Sequence, residues 1–523
     1  MSQTASMTIE KKAAVKNGVS RMVFAAISIL LEIIAIVVIF YNLNEYAEWI
    51  SIGTRVAALI LVLTIYGRHI TSSMKMPWIM LIMAFPVVGV ILYLTIGLNI
   101  STKKMKRNFK LADEQLLPAL PDNENALESL KSSHPKLYPI AHYLKLNASY
   151  PLYDDTQVTY YSEASDGLEA QLNDLAKAKK FIFMEYHAIE NKESFHRVRD
   201  VLARRAKEGV EVRIFYDDMG SIGFINTDFV KEMAGYGIKC RVFNPFSPGL
   251  NIFLNNRDHR KITVIDGKVG FTGGYNIANE YFNLTHPYGY WKDTGIRLEG
   301  NAVKSLTAAF LEMWNAIGKD EEADRDFAQK YMPAAPMPAA PQGWIQPYAD
   351  SPIADPRVGE DIYISVVEQA SDYAWFITPY LIITEEMIHT LGIAARRGID
   401  VRIITPGIPD KKMIYGVTRS YYNALVRHGV RIYEYTPGFC HCKMSVSDDV
   451  IATCGTINLD YRSLYHHFEN GCVMYDNHAV DKIKEDFIRI MEESREVTEK
   501  YASGRNSFLR AWQLILRLFA PLM

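Results

Sequence analysis

The chain reads HRKITVIDGKVGFTGGYN from His259 to Asn276 and HCKMSVSDDVIATCGTIN from His441 to Asn458. Each stretch has the pattern His-x-Lys-x4-Asp. Seven residues after each aspartate comes a glycine, then a small residue, any residue and an asparagine. One copy alone would be weak support for any function. Two copies with the same internal spacing indicate a duplicated unit.

The sequence around the two motifs repeats as well. FIFMEY at 181–186 corresponds to WFITPY at 375–380, and both runs are typical of buried strands. ARRAKEGVEVRIF at 203–215 corresponds to AARRGIDVRII at 394–404, where a helix ends at a glycine before a strand. This alternation predicts an α/β fold with two pseudo-symmetric lobes that contain mixed, mainly parallel sheets.

Three apolar runs, at 22–41, 51–66 and 77–98, precede the repeated part and predict N-terminal transmembrane helices. The first run is not typical of a cleaved signal peptide, because no small-residue cleavage site closes it. A buried helical core is the alternative. Basic clusters flank the runs on both sides, which leaves the number of full spans open, and we place the large remaining part on the cytoplasmic side. The predicted divisions are a membrane anchor (1–110), a linker (111–135), a first lobe (136–331), a Pro/Ala-rich connector (332–343), a second lobe (344–503) and a C-terminal amphipathic helix (504–523).

The motif residues suit chemistry on a phosphodiester. His259 and Lys261 are two residues apart, as are His441 and Lys443, so each pair is predicted to face one side of a strand. If the lobes pack about a pseudo-two-fold axis, both pairs meet at one site. The lysines would neutralise phosphate oxygens. One histidine would attack phosphorus to form a phosphohistidine, and the other would exchange protons with the alcohols.

Further motif residues complete the candidate site. Asn276, Asn458 and Thr456 are predicted to bind the substrate, because they follow the return strand of each motif. Asp266 and Asp448 complete the motifs and are counted among the catalytic candidates. Each lies an odd number of steps from its histidine and close to a turn, so a structural role in the turn or in the join between halves is the expected one.

Two carboxylates are candidates for orienting the imidazoles. Asp293 follows the first motif and Glu469 follows the second, and each precedes a glycine and an apolar strand by two residues. An ordinary ion pair is the alternative for both, and Glu280 is an alternative orienting residue in the first half. Tyr186 and Tyr380 occupy matching positions in the repeat, where they either line the cleft or pack in the core.

We expect no metal and no other cofactor, because the lysines already supply positive charge. Cys440 and Cys442 flank His441, but alternation along a strand points the two sulfurs away from the imidazole. The five cysteines are too few for a disulfide framework and suggest a reducing compartment. The net charge of −2 does not favour nucleic acid as a partner. The oligomeric state is left open.

Over about 140–500 the doubled motif resembles the phospholipase D superfamily. The chain is similar in more detail to bacterial cardiolipin synthases of the two-motif type, on NNRDHRKITVIDGKVGFTGGYNIANEY (255–281), GTINLDYRSLYHHFENG (455–471) and KMPWIMLIMAFPVVGVILYLTIG (75–97). The resemblance implies two phospholipase D-like lobes at the bacterial cytoplasmic membrane. It also implies transfer of a phosphatidyl group between two phosphatidylglycerol molecules with release of glycerol. In this family His259 would be the nucleophile and His441 the acid/base.

Other functions use the same chemistry. A phospholipase D-type hydrolase would pass the phosphatidyl group to water, and another phosphatidyltransferase would pass it to a different alcohol such as serine. A nuclease of the superfamily should have a basic groove with aromatic platforms. An inactive membrane scaffold would not need to keep both His-Lys pairs, and this chain keeps them.

Overall fold

The computed structural model describes six segments of the chain, which are 47–97, 102–245, 256–318, 327–333, 343–354 and 356–502. It also describes the single residues 23, 27, 30, 31, 34, 516, 517 and 520. Most of the apolar run 22–41, most of the connector 332–343 and nearly all of the helix predicted at 504–523 lie outside the described residues. Three described parts remain, which are an N-terminal helical segment and two α/β lobes.

The N-terminal segment contains α1 (Ala47–Tyr66), α2 (Ser72–Ala84) and α3 (Pro86–Leu92), followed by a π-helical turn (Tyr93–Gly97). The run 77–98 is divided at Phe85, because Pro86 cannot donate a helical hydrogen bond and starts a new helix instead. Apolar side chains cover the outside of this segment, among them Leu59, Leu63 and Met83, which are 61%, 61% and 70% exposed. Within the described part of the chain, we find no helix with both the length and the apolar character that crossing a bilayer requires.

The linker predicted at 111–135 is wrong, because these residues are largely helical. They belong to α4 (Thr102–Leu116), a 3₁₀ turn (Leu117–Ala119) and α5 (Glu124–Ser133), and α6 (Tyr138–Ala148) follows. Leu116, Leu127 and Leu130 are buried in the core shared with the lobes. Their helical spacing is what buries one face of each helix, and the polar residues and prolines of the stretch conceal that spacing.

The first lobe is built on a seven-stranded sheet with the order β1-β9-β7-β6-β2-β3-β4. Its elements are β1 (Thr156–Tyr161), α7 (Ala164–Leu175), β2 (Phe181–Tyr186), α8 (Glu193–Lys207), β3 (Glu211–Asp217), α9 (Asp218–Ser221), α10 (Phe229–Gly235), β4 (Lys239–Phe243), β5 (Arg257–Asp258), β6 (Lys261–Ile265), β7 (Val269–Gly273), a 3₁₀ turn (Asn279–Phe282), β8 (Tyr290–Lys292), β9 (Gly295–Gly300), α11 (Val303–Ile317) and α12 (Phe327–Tyr331).

The second lobe repeats this plan with the main sheet order β10-β19-β17-β16-β11-β13-β14-β20. Its elements are β10 (Trp344–Asp350), α13 (Val358–Gln369), β11 (Tyr373–Ile377), β12 (Leu381–Ile382), α14 (Glu385–Arg396), β13 (Asp400–Pro406), α15 (Lys412–Val426), β14 (Arg431–Tyr435), β15 (Gly438–Cys440), β16 (Met444–Ser447), β17 (Ile451–Gly455), β18 (Leu459–Asp460), α16 (Tyr461–Tyr465), β19 (His467–Tyr475), α17 (His478–Glu492), β20 (Ser494–Glu496) and α18 (Thr498–Ala502).

The α/β class and the mixed sheets are confirmed, but the prediction that the sheets are mainly parallel is wrong. Strands β2, β3 and β4 are parallel, as are β11, β13 and β14. The motif hairpins β6–β7 and β16–β17 and their further neighbours are antiparallel. The sequence repeats displayed the strand-helix-strand part of each lobe, and that part forms only the parallel portion of each sheet.

The two lobes share strands as well as a hydrophobic core. β5 of the first lobe pairs in parallel with β19, and β15 of the second lobe pairs in parallel with β8. The buried Arg260 crosses the same boundary, since it forms an ion pair with Glu312 at 2.5 Å and donates to the Glu469 carbonyl oxygen at 3.1 Å. The lobes are therefore joined directly behind the motif residues.

Candidate active site

A cavity of about 720 Å³ lies between the two lobes. Both motif histidines and both motif asparagines line it, which are His259, His441, Asn276 and Asn458. All four side chains are at least nine-tenths buried. The two halves of the sequence repeat therefore contribute matching side chains to one enclosed space.

Each motif histidine lies where the chain passes from one lobe to the other, instead of within a continuous strand. His259 follows β5, which pairs with the second lobe, and precedes β6 of its own sheet. His441 likewise follows β15 and precedes β16. The prediction that each His-Lys pair lies along one strand is wrong at the histidine, although the imidazoles still reach the same cavity.

The orienting carboxylates are exchanged between the halves. The Nδ1 atom of His259 lies 2.9 Å from both carboxylate oxygens of Glu469 in the second lobe. The Nδ1 atom of His441 lies 2.7 Å from Oδ2 of Asp293 in the first lobe. The sequence repeat associates each carboxylate with the histidine of its own half, so the partners are crossed relative to that expectation. Nδ1 of each ring contacts a carboxylate, which leaves Nε2 for a ligand.

The interlobe strand pairs explain this crossing. β5 pairs with the start of β19, so that Asp258, next to His259, is opposite Phe468, next to Glu469. The mirror arrangement holds for β15 and β8, where the backbone N–H of His441 donates to the carbonyl oxygen of Lys292 at 2.8 Å. Each histidine therefore meets the carboxylate of the strand with which its own segment pairs.

Both motif lysines are buried beside the histidines. Nζ of Lys261 donates to the His259 carbonyl oxygen at 2.5 Å, and Nζ of Lys443 lies 2.7 Å from Nδ1 of His441. Burial lowers the pKa of Lys261 to about 7 and also lowers the pKa of Lys443. A buried ammonium group has little solvation, so it is well suited to bind an incoming anion. The bound anion would in turn raise the pKa of the lysine and favour its charged form.

The histidines are held as neutral bases. Burial lowers the pKa of His259 well below its ordinary value, and the charges of Lys261 and Lys443 lower it further. Burial and the same two lysines lower the pKa of His441. Burial raises the pKa of Asp293 to about 6, and the charge of Lys443 acts in the opposite direction. A neutral imidazole is the form that can act as a nucleophile or take up a proton.

The predicted substrate-binding residues divide into two groups. Asn276 lines the cavity and donates to the Tyr281 hydroxyl at 2.8 Å, and Asn458 has a buried Oδ1 without a hydrogen-bond partner in the described part of the chain. Thr456 is fully buried, and its hydroxyl donates to Oε2 of Glu469 at 2.5 Å. This hydroxyl supports the carboxylate behind His259, and a role of Thr456 in substrate binding stays a prediction.

Asp266 and Asp448 do not line the cavity. Asp266 lies in the β6–β7 turn with φ of 52° and accepts from the backbone N–H groups of Lys179, Lys180 and Phe181 at 2.7–2.9 Å. Asp448 lies in the β16–β17 turn with φ of 51° and accepts from three consecutive N–H groups at 371–373. Their catalytic role stays a prediction, and their place at the turns agrees with the structural role expected from their spacing.

We expect Asp266→Ala and Asp448→Ala to lower the free energy of unfolding by about 1.5–3 kcal/mol each, because three amides lose a charged acceptor. The activity per folded molecule should stay near that of the unchanged protein. Thermal unfolding together with active-site-normalised rates would check this, with the exposed Asp200→Ala as a control. A normal melting temperature with lost activity would contradict the structural role.

The remaining candidates are resolved by their positions. Tyr380 lines the cavity and donates to Asp410 at 2.6 Å, whereas Tyr186 is buried and hydrogen-bonded with Thr263 at 3.0 Å. Glu280 lines the cavity, but Glu469 is the carboxylate that contacts His259.

Five basic residues of the cavity were not predicted from the sequence: His187, Arg257, Lys411, Arg462 and His467. His467 is two residues before Glu469 in β19, which places both side chains on one face of the strand. His187 directly follows β2, and side chains at the carboxyl ends of parallel strands meet at one edge of a sheet. These two positional signals could have identified the histidines.

His259, His467 and Glu469 each place a potential metal-ligating atom within 4.8 Å of the other two. Histidine and glutamate are also the ligands of many zinc enzymes. Glu469 contacts Nδ1 of His259, whereas Nδ1 of His467 lies 3.7 Å from Glu469 and has no hydrogen-bond partner among the described residues. The expectation that no metal takes part therefore stays a prediction, and an activity assay with EDTA would test it.

Two α/β lobes that each supply a histidine and an asparagine to one cavity, with a buried lysine beside each histidine, define a phospholipase D-like enzyme. The family model described as "Cardiolipin synthase, PLD-like domain" matches residues 172–314 and 363–491. The model described as "Phospholipase_D-nuclease N-terminal" matches 56–97. A crystal structure of phosphatidylserine synthase from Haemophilus influenzae Rd KW20 shares the fold with a TM-score of 0.54, at 15% identity, over 70% of this chain and 93% of that chain.

Full-length relatives agree with these matches. An uncharacterized protein of Streptococcus mutans is 39% identical over 88% of this chain and 99% of its own length. Cardiolipin synthase of Alkalihalophilus pseudofirmus is 32% identical, with 87% of this chain and 90% of that protein covered. Cardiolipin synthase 2 of Bacillus cereus is 33% identical, with 88% and 89% covered. The chain therefore belongs to the cardiolipin synthase family of the phospholipase D superfamily and is a phosphatidyltransferase.

Proposed function

We propose that this enzyme transfers a phosphatidyl group from one phosphatidylglycerol to a second, forming cardiolipin and releasing glycerol. The observation that carries the proposal is the shared cavity, in which each of the two motif histidines is held by a carboxylate of the opposite lobe. The similarity to relatives named cardiolipin synthase supports this choice of substrate.

In the first step, Nε2 of His259 attacks phosphorus of the donor. A P–N bond forms, the P–O bond to glycerol breaks, and the departing glycerol oxygen takes a proton from His441. Lys261 and Lys443 neutralise the non-bridging phosphate oxygens. His441 must be protonated for this step, so the bound phosphate anion has to raise its pKa, which burial lowers. The assignment of His259 as nucleophile follows the family resemblance.

In the second step, a hydroxyl of the acceptor phosphatidylglycerol attacks the phosphohistidine. Its oxygen forms the new P–O bond, its proton passes to the neutral His441, and the P–N bond breaks to restore His259. Glu469 holds the proton of Nδ1 during both steps, which keeps Nε2 directed at phosphorus. The reaction exchanges one phosphodiester for another and consumes no further reactant.

We place the enzyme at the bacterial cytoplasmic membrane as a multi-pass protein, with both lobes on the cytoplasmic face. The exposed apolar side chains of α1 and α2 support contact with lipid, as does the N-terminal family match at 56–97. Such an anchor would keep the cavity where two-tailed substrates are concentrated. Phosphatidylglycerol and membrane lipid are then the partners that matter, and nucleic acid is not one of them.

The pH dependence should report the buried lysine. Because burial lowers the pKa of Lys261 to about 7, the free enzyme loses this charge as the pH rises through that value. We expect kcat/KM to fall above pH 7, and kcat to fall only at higher pH, since bound phosphate stabilises the ammonium form. Lys261→Arg should move the fall in kcat/KM to higher pH. A profile that Lys261→Arg leaves unchanged would contradict this assignment.

Chelation separates the metal-free mechanism from a metal-dependent one. We expect activity to survive EDTA, because the two lysines supply the charge that a metal would otherwise provide. Added Zn²⁺ should inhibit, since it would compete for His259 and Glu469. Turnover and metal content should be measured on the same sample. Loss of activity with EDTA and its recovery with zinc would overturn the metal-free mechanism.

A product assay tests the proposed function. The purified full-length protein in mixed micelles would receive labelled phosphatidylglycerol alone, and lipids and glycerol would be followed over time. Cardiolipin and glycerol in equal amounts are the expected result. Phosphatidic acid without cardiolipin would instead identify a phospholipase D-type hydrolase, and turnover that requires another alcohol would identify a different acceptor.

A further inference from the structure

Two arginines form one wall of the cavity beside His259. Arg257 and Arg462 both line it, together with His187 and His467. Nε of Arg462 lies 3.3 Å from Nε2 of His467, and the His467 ring centroid is 5.4 Å from that of His259. In the interlobe ladder Arg257 is directly opposite His467. The two guanidinium groups therefore come from different lobes and converge next to the proposed nucleophile.

These cations are held in place by the protein. Arg257 is 4% exposed, donates to the Asn244 carbonyl oxygen at 2.9 Å and lies 3.7 Å from Asp217. Asp217 itself accepts from the backbone N–H groups of Gly220 and Asp258 at 2.9 and 3.1 Å. Burial lowers the pKa of Arg462, the charges of Asp460 and Asp217 act in the opposite direction, and the charge of Arg257 lowers it further, so the two guanidinium groups are close enough to repel each other. An anion between them would relieve that repulsion.

The opposite wall has a different character. It contains the rings of Tyr281, Trp291 and Tyr380, the carboxylate of Asp410 and the ammonium group of Lys411. Tyr281 and Trp291 lie against His441, with ring centroids 5.3 and 5.2 Å from it. Lys411 is 63% exposed and lies 4.0 Å from Asp410, so solvent and this carboxylate weaken its attraction for a phosphate group, and aromatic faces and carboxylates do not attract one. A second anion in the cavity would therefore bind on the arginine side.

We propose that Arg257 and Arg462 form a second phosphate subsite, which binds the phosphodiester of the acceptor phosphatidylglycerol while the lysines hold the phosphate being transferred. This inference rests on the proposed function. The acceptor carries its reactive hydroxyl and its own phosphate on one three-carbon glycerol unit. Anchoring that phosphate beside His259 brings the hydroxyl to the phosphohistidine. Water and uncharged alcohols gain nothing from the subsite, so the arginines select the acceptor.

The test compares acceptors in the same reaction. Labelled phosphatidylglycerol and ethanol would be supplied together, and cardiolipin, phosphatidylethanol and phosphatidic acid would be quantified. For Arg462→Gln and Arg257→Gln we expect cardiolipin formation to fall about tenfold or more, because a charge-assisted contact to the acceptor is lost. Formation of phosphatidylethanol and phosphatidic acid should stay within about threefold of the unchanged enzyme. Arg431→Gln, outside the cavity, is the matched control.

Lysine variants keep the test valid if a glutamine variant does not fold. Arg462→Lys and Arg257→Lys retain the charge but lose the forked geometry, so cardiolipin alone should fall, by less than in the glutamine variants. Equal loss of all three products, or unchanged cardiolipin in folded variants, would overturn the subsite. Failure of the proposed function would look different, since the unchanged enzyme would then form no cardiolipin.

Discussion

His259→Ala is expected to abolish turnover while the protein remains folded. Without the imidazole no phosphohistidine can form, and loss of a catalytic nucleophile typically lowers kcat by about five to six orders of magnitude. His441→Ala should lower kcat by about two to four orders, which is the usual contribution of a general acid and base. Both rings are at least nine-tenths buried, so thermal unfolding and circular dichroism must accompany the rate measurement.

His389→Ala provides the control, because that residue is exposed on α14. It should leave turnover and stability unchanged. Near-normal cardiolipin formation by folded His259→Ala or His441→Ala would rule out a mechanism that needs both histidines. Equal residual rates in the two variants would not distinguish the nucleophile from the acid/base. A lower rate for His259→Ala agrees with its assignment as nucleophile.

Glu469→Gln and Asp293→Asn are expected to lower kcat by about two to four orders of magnitude without changing the fold. A neutral amide can present its N–H to Nδ1 and thereby select the wrong imidazole tautomer, the mechanism by which a comparable substitution in a serine protease costs about 10⁴-fold. The crossed pairing makes this prediction specific. Glu469→Gln should alter the imidazole of His259 in the opposite half, and Asp293→Asn should alter that of His441.

Nitrogen NMR of labelled histidine would measure the tautomer of each ring in these variants. Glu434→Gln is a suitable control, because that carboxylate is buried in the second lobe and pairs with Arg419 away from the cavity. Thr456→Val should weaken the support of Glu469 and produce a smaller loss that affects the His259 signal alone. If Glu469→Gln instead altered His441, the crossed arrangement would be contradicted.

The duplicated motif made the main features of the fold and the site predictable. Equal spacing from His259 to Asn276 and from His441 to Asn458 predicted two equivalent lobes and a shared cavity. Alternation along the strand placed Asp266 and Asp448 at turns and away from the histidines. These inferences need only local periodicity and the assumption that a repeated sequence folds in a repeated way.

Contacts between the lobes were not predictable from such patterns. Sequence distance associates Asp293 with His259, but β5 and β15 leave their own sheets and pair with the other lobe, which exchanges the carboxylates. Thr456 donates to Glu469 within the second lobe, through the β17–β19 pairing, and the motif spacing does not indicate that contact. The helices within 111–135 are hard to recognise from the sequence, because their buried face packs against a core assembled from both lobes.

The most direct test of the account is to trap the phosphatidyl group on the enzyme. Phosphatidylglycerol with a labelled phosphate would be mixed with the full-length protein, the reaction stopped with base within one turnover, and the labelled peptide mapped. The account predicts an acid-labile, base-stable label on His259 that passes to cardiolipin when unlabelled phosphatidylglycerol is added, and no label in His259→Ala. A labelled protein that yields no cardiolipin, or cardiolipin formed at the full rate without any labelled histidine, would contradict it.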